Sequence, residues 1–440
     1  MQSRSCACLA TIALVVMLVS VRPVAGQATS QTKQPPKYYV FNLGAPLGGA
    51  AEGVGLNDLG WLSGGANLAS NNVVNAELWV GTAVDLGSLG GPNSNVSWPN
   101  HTTKGEIVGI AETAEANPFG EPWSCFAFFP SSTPTGDVCV GFAWQDGVMT
   151  PLPPLPGGYD SYAAGVNNEG QVVGWAENGV HDSTCNTPGQ VLQFEAVIWG
   201  PKLDHVTQLP PYPGDPDSAA TAINDRGQVV GISGLCSNAV GGASAKHALL
   251  WENGVPIDLG NIGGGAWNTP VALNNQGQVV GFANTSGDEN AAPAPTAFIW
   301  TKQKGMKPLP YLAGDSNSIA FDINGKGQIV GQSAGATLRA FLYEDGRMLD
   351  LNALIQPDTS LYLTSAQGIN NRGEIAGTAL DTATGAVVAF LAVPAYGGVS
   401  KADSSKARTA SHIQKVVSTD SVRRQMTGFS RLAFGDAATK

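Results

Sequence analysis

Charge is what this chain has least of. Only 13% of its 440 residues are Asp, Glu, Lys or Arg, about half the usual share. That scarcity disfavours a helical bundle or coiled coil laced with surface ion pairs. Basic charge is scarcer still in the body of the chain, where residues 27–398 carry a net −18. Binding of nucleic acid by the folded part is therefore not expected. The cysteines form no CxxC pair and have no His partner at zinc-ligand spacing, and no GxSxG elbow, HExxH helix or phosphate loop occurs. No catalytic residues, metal site or cofactor are expected. Apart from Leu9–Val19, no apolar run approaches the length of a membrane span, so the mature chain should be soluble.

Glycine and proline, by contrast, are plentiful. The chain holds 56 Gly and 28 Pro, with 43% hydrophobic residues, which together point to many turns around a substantial core. Two or three ordinary domains or one large all-β domain would fit the length. The first segment combines a positive start at Arg4, the apolar run Leu9–Val19 and small residues at Ala25–Ala28. It reads as a secretory signal peptide over 1–26, followed by a linker over 27–37. Cys6 and Cys8 leave with the signal. Four cysteines remain, Cys125, Cys139, Cys185 and Cys236, an even number in a disulfide-permissive compartment. The product is expected to be secreted, periplasmic or on the cell surface. Residues 399–440 carry a net +5 and no β periodicity, and read as a solvated basic tail.

Self-similarity sets the architecture. The phrase Ile223–Gly231, INDRGQVVG, recurs at Val166–Gly174, Leu273–Gly281, Ile323–Gly331 and Ile369–Gly377, with weaker copies at Leu56–Gly64 and His101–Gly109. The first glycines of the phrase fall at 60, 105, 170, 227, 277, 327 and 373, marking seven units of propeller-blade length. Each unit carries four strand-like pieces, which in the clearest copy are Ala219–Asn224, Gln228–Ser233, Ala248–Trp251 and Val255–Leu259. Asn224-Asp225-Arg226-Gly227 and Glu252-Asn253-Gly254 have the chemistry of tight hairpin turns. Apolar residues at consecutive positions in Gln-Val-Val-Gly demand a strand covered on both faces. Sheets packed face to face around an axis provide that cover. Small residues in the first strand (Gly53, Gly55, Ala220, Ala222, Ala272, Ala366, Gly368) suit the crowded inner end of a wedge-shaped blade, and the recurring Ala-Phe-x-Trp strand suits inter-blade core.

The ends of the repeat region are complementary. The last unit stops after its third strand at Ala389–Val393, while Tyr38–Gly49 matches the fourth strand and exit link of other units, such as Ala83–Gly91. A seven-bladed β-propeller over 38–398, closed by pairing the N-terminal strand with the last blade, is the expected fold; a linear β-solenoid is the alternative. Closure removes an exposed sheet edge. A monomer is expected.

Three motifs recur in fixed order: Ile-Asn-x-x-Gly-Gln-Val-Val-Gly, Ala-Phe-x-Trp and Asp-Leu-Gly-x-Leu-Gly-Gly. Over residues 38–393 they resemble those of the HAF-type extracellular repeat proteins. The resemblance implies an exported, propeller-like repeat protein and brings no catalytic residues with it. Units one and two depart from the pattern, with Trp61-Leu62-Ser63 in place of Gln-Val-Val and His101-Thr102 in place of Ile-Asn.

In such a ring the short Asn/Asp-Gly turns share one face, and the second-to-third loops share the other with the inter-blade links. Length variation concentrates in the loops Ala111–Val140, Ala176–Gln193, Gly234–Lys246 and Ala283–Pro295. Cys125 and Cys139 share one loop, and Cys185 and Cys236 lie in loops of adjacent blades. The pairings Cys125–Cys139 and Cys185–Cys236 follow. Loops elaborated on one end of a rigid scaffold are where binding usually resides, and Trp98, Trp123, Tyr159 and Trp267 are the candidate ligand-stacking residues there. The reading is an exported binding or scaffolding module for an extracellular glycan or surface protein. One alternative is a glycan-acting propeller enzyme using Glu52 and Asp322, the two acids offered by the innermost strands; another is a structural cell-surface protein. Asp215 and Asp315, at equivalent link positions, read as turn residues, and Asn95, Asn100 and Asn284 lie in N-x-S/T sequons.

Overall fold

A computed structural model describes residues 37–395, apart from residue 71, the segments 130–135, 186–188, 237–244 and 286–294, and the side chains of residues 123, 124 and 126. The expected signal peptide and basic tail, with all of the linker but residue 37, lie outside the described residues.

Seven four-stranded antiparallel sheets are arranged as blades. The chain opens with β1 (Tyr38–Gly44) and then builds blade one from β2 (Gly48–Leu56), β3 (Leu62–Leu68), β4 (Val74–Trp79) and β5 (Ala83–Asp85). Blade two holds β6 (Gly90–Asn95), β7 (Ile107–Ala116), β8 (Asp137–Gln145) and β9 (Val148–Pro151), with a short helix α1 (Trp123–Phe128) between β7 and β8. Blade three holds β10 (Gly157–Val166), β11 (Val172–His181), β12 (Leu192–Trp199) and β13 (Val206–Gln208). Blade four is β14 (Asp217–Ile223), β15 (Val229–Gly234), β16 (Ala245–Glu252) and β17 (Val255–Asp258). In blade five, β18 (Thr269–Leu273), β19 (Val279–Ala283), β20 (Thr296–Thr301) and β21 (Gly305–Pro308) follow; in blade six, β22 (Asn317–Ile323), β23 (Ile329–Ala334), β24 (Leu338–Glu344) and β25 (Arg347–Asp350). Blade seven contributes only β26 (Leu361–Ile369), β27 (Ile375–Asp381) and β28 (Val387–Pro394). Its fourth strand is β1, which lies antiparallel to β28 with Phe41 opposite Leu391 and Asn42 opposite Phe390.

The local reasons for these strands are those of the repeat. Asn224 Oδ1 accepts the amides of Arg226 and Gln228, both at 3.0 Å, and Gly227 takes a positive φ of 72° that a side chain would disfavour. At the third-to-fourth hairpins Asp146, Asn253 and Asp345 have φ near 50°, each followed by a positive-φ glycine, the two-residue turn whose twist matches the strands. Inner strands of adjacent blades approach closely: a Cβ on Gly55 would come within 2.7 Å of the Asn100 amide nitrogen, and one on Gly368 within 2.7 Å of the Val54 carbonyl.

Hydrophobic packing follows the blades. Seven clusters each fill one seam between neighbours, as where Phe298 packs with Leu250 and Leu273 between blades four and five. An eighth cluster draws residues from all seven blades and holds the aromatics Trp98, Phe128, Tyr162, Trp175 and Trp267.

Candidate functional site

The turn face is closed by two sets of side chains. Around the ring, the amide of each turn-starting Asn donates to the backbone carbonyl of its counterpart in the next blade. Asn167 reaches Asn224 and Asn224 reaches Asn274, both at 3.1 Å. Asn274 reaches Asn324, Asn324 reaches Asn370, Asn370 reaches Asn57 and Asn57 reaches Thr102, all at 3.0 Å. Only blade two lacks the Asn. There Thr102 caps the turn through the Lys104 amide at 3.1 Å and bonds Asn168 at 3.3 Å. The Asn side chain thus holds its own turn and ties neighbouring blades, which a linear reading of the motif did not reveal.

The second set is a single pair. His101, which replaces the apolar residue of the repeat, places Nε2 3.0 Å from Asp322 Oδ1, joining blade two to blade six. Asp322 is fully buried and also accepts the Ile323 and Ile369 amides, each at 2.7 Å. Burial opposes the imidazolium, but the charge and hydrogen bond of Asp322, the charge of Asp58 and the Leu56 carbonyl outweigh it and raise the His101 pKa. With its charged form engaged by Asp322 and Leu56, His101 acts as a pin. Asp322, one of the two acids considered for hydrolysis, has its oxygens committed to two amides and this pin, which leaves it ill-placed as a general acid or nucleophile.

The opposite half of the molecule is aromatic. A narrow recess is walled by Trp98, Phe128, Tyr162 and Trp175, with Thr221 and Thr269 among its few polar members. Tyr162 stacks on Phe128 at 4.3 Å and meets Trp98 edge-on at 5.9 Å. Burial raises the Tyr162 pKa despite a bond to Ser97, so its hydroxyl stays neutral. Thr221 Oγ1 donates to the Val230 carbonyl at 3.1 Å, whereas the buried Thr269 Oγ1 has no partner among the described residues.

The four candidate ligand-stacking aromatics, which that role requires to be exposed, fall in different settings. Trp98 is 6% exposed and lines the recess. Trp267 is 4% exposed, packs against Phe282 and has a φ of 62°; as a buried bulky residue with positive φ it serves the interior cluster and not a wet groove. Tyr159 is exposed, in edge contact with Phe119 at 5.9 Å. Trp123 opens α1, and its side chain lies outside the described residues. Burial of Trp98 and Trp267 departs from the expectation because the loops fold inward over the blades, where indole area is worth more out of water. Asn95, Asn100 and Asn284 are buried as well; Asn100 Oδ1 accepts the Val108 amide at 2.9 Å and Asn95 donates to the Phe128 carbonyl at 3.1 Å. These sequon asparagines are internal in the folded chain.

Both disulfides are present. Cys125–Cys139 closes the blade-two insertion, and Cys185–Cys236 staples blade three to blade four, with Cα separations of 5.6 and 4.8 Å. Glu112 lies beside the first, but oxidised sulfurs are not thiolate ligands, so that group is no metal centre. The link residues are also occupied: Asp315 binds Ser333 and Arg339, at 2.7 and 2.8 Å, and Asp215 binds Ser233 and His247, both at 2.7 Å. Their turns are thereby fastened to the second and third strands of the same blades.

A network that sequence reasoning missed lies between these features. At the start of each of several inner strands a polar pair accepts amides from the third strand of the preceding blade: Asn93 and Ser94, Asp160 and Ser161, Asp217 and Ser218. The recurring Asp/Asn-Ser dipeptide was the available signal. Around blade three, acids accumulate without ion pairs to described bases. Glu121 accepts the Val191 and Leu192 amides at 2.6 and 2.7 Å, while burial and the Glu121 charge push Glu177 up to about 7.

The architecture is that of a seven-bladed β-propeller with two unlike faces. A family model described as a protein of unknown function (DUF3466) matches residues 215–389. No curated protein matches the sequence. Among solved structures, the chain is similar to a streptogramin B lyase, at 12% identity over 82% of this chain and 98% of that one, TM-score 0.44. It is also similar to an inactive variant of virginiamycin B lyase from Staphylococcus aureus, at 11% identity over 81% and 100%, TM-score 0.45. A gluconolactonase from Xanthomonas campestris follows at 10% identity over 83% and 96%, TM-score 0.35. At these values none carries an argument about activity.

Proposed function

We propose that this is an exported binding module of the HAF-type repeat kind that takes its ligand in the aromatic recess. The observation that carries the reading is the lining of the recess: four aromatic walls, with the unpartnered Thr269 hydroxyl as a polar handle. A whole sugar would bring several hydroxyls into walls that answer almost none of them, and each unanswered polar group costs about 1–3 kcal/mol. An apolar ring with one hydrogen-bonding atom matches the chemistry of that lining better, as an aromatic side chain of a peptide or surface protein would supply. Paired cysteines are consistent with a non-reducing setting. Trp98 and Trp175 line the recess, so intrinsic fluorescence reports occupancy. Titration with peptides bearing exposed aromatic side chains should shift the emission, and Ala164→Leu, which fills the recess, should abolish the shift. An equal response of both proteins, or a response to glycans alone, would reject this reading.

A further inference from the structure

On the loop face of blades two and three, three rings meet in contact with solvent. Phe119 is 40% exposed and Tyr159 37% exposed, and His181, at the end of β11, is exposed as well. Both neighbours meet Phe119 at a steep angle: Tyr159 with planes at 65°, and His181 with planes at 88° and centroids 5.3 Å apart. The turn that carries Phe119 is fastened on both sides of the ring. Asn117 Oδ1 accepts the Phe119 amide at 2.9 Å, and Asn117 Nδ2 donates to Asp160 Oδ2 of blade three at 3.2 Å. Two residues past the ring, Glu121 holds the Val191 and Leu192 amides of the same blade. A ring mounted so firmly yet left in water adds little to the fold, and its ordering cost is already met before anything docks on it.

Charge decides what docks there. Residues 105–201 hold eleven Asp and Glu and no Lys or Arg, a formal −11 across blades two and three. One of these acids, Glu115, is exposed two residues before the Asn117 turn. The negative face of an exposed ring attracts a Lys or Arg head group, and surrounding acids attract the same group. The opposite excess lies in residues 399–440, with eight Lys and Arg against three Asp. Ala395 is followed by 45 residues, which fully extended span about 150 Å. A compact body the size of this propeller has a radius of gyration of about 21 Å, so every blade is within reach.

We propose that the basic segment 399–440 docks on the Phe119–Tyr159–His181 surface of its own propeller, with Lys and Arg head groups against the rings and the acids of blades two and three. This goes beyond the reading of the recess and does not depend on it. The test uses the purified, oxidised full chain at low ionic strength. A zero-length carbodiimide should join Lys401, Lys406 or Lys415 to an acid of residues 105–201 within one molecule. Trypsin should cut after Arg423 and Arg424 about fivefold more slowly than at high salt, where exposed charges are screened. Each rate is measured against a free synthetic peptide of residues 399–440 under the same conditions. Phe119→Ser should abolish the cross-links and the protection while leaving the thermal midpoint near that of the parent. Should that variant fail to fold, Tyr159→Ala should show the same losses. Val255→Ser, at an exposed apolar residue of blade four, should behave as the parent does. The proposal is overturned if relative cleavage is equally fast at both salt concentrations, or if the aromatic variants keep the protection. Cross-links found only between copies would also overturn it, making a second molecule the occupant.

Discussion

The turn face and the loop face are made by the same seven repeats yet are held together differently. On the turn face one Asn per blade repeats its bonds almost unchanged around the ring, and the single defect, in blade two, coincides with the single inserted pin, His101–Asp322. On the loop face no bond among the described residues repeats seven times. Disulfides, aromatic stacks and buried carboxylates there differ from blade to blade. A periodic face is built for closure, and an aperiodic one leaves room for individual sites.

Five experiments probe that contrast, starting with the greatest loss. Removing Cys185–Cys236, whose cysteines are 51 residues apart, should cost about 4 kcal/mol, and removing Cys125–Cys139, 14 apart, about 3; denaturant melts of the double Cys→Ser variants read both. Comparable is Trp251→Ala in the seam between blades three and four, where the side chain is 1% exposed and donates to the Pro210 carbonyl: about 3–5 kcal/mol is expected. Tyr159→Ala, on the exposed loop face, should cost under about 1 kcal/mol, so equal losses would erase the distinction. Asn224→Ala removes a cap and an inter-blade tie together and should cost about 1–2 kcal/mol.

The fifth experiment concerns pH. Glu77 takes the place of the Phe found in sibling blades, is 1% exposed with both oxygens unpartnered, and is pushed up to about 7 by burial with help from Asp85. A carboxyl whose folded pKa exceeds its unfolded one binds extra protons when folded. Its contribution is therefore present below the unfolded value of 4.5 and is lost as pH rises through about 7. The raised His101 pKa works in the same direction, its contribution being complete below 6.5 and lost above that as the folded imidazolium deprotonates. Midpoints should fall between pH 5 and 8. Glu77→Gln should flatten the lower part of that fall and His101→Gln the upper part; an unchanged slope in both would contradict the assignment.

Much of this was legible beforehand because it is local or periodic. The Asn-x-x-Gly turn, the doubly covered Val-Val strand and the complementary half-units at Tyr38 and Ala389 each show themselves within a few residues or by recurrence. The cysteine pairs followed from placing the loops on one face. The acceptor of each Asn amide was not legible, since Asn370 and Asn57 are neighbours only once the ring has closed. His101 stood out as an anomaly, but nothing near it in the chain names Asp322. Trp98 and Trp267 were misjudged as exposed because a loop's composition does not say which way it folds.

Repetition alone determined the blade count, the hairpins and the closing strand, because turn geometry and strand patterning are decided by residues in immediate succession. Tertiary structure alone decided which side chains meet across the ring: the pin and the recess. Those contacts depend on where whole blades come to rest, and the position of a blade is set by all of its seams together.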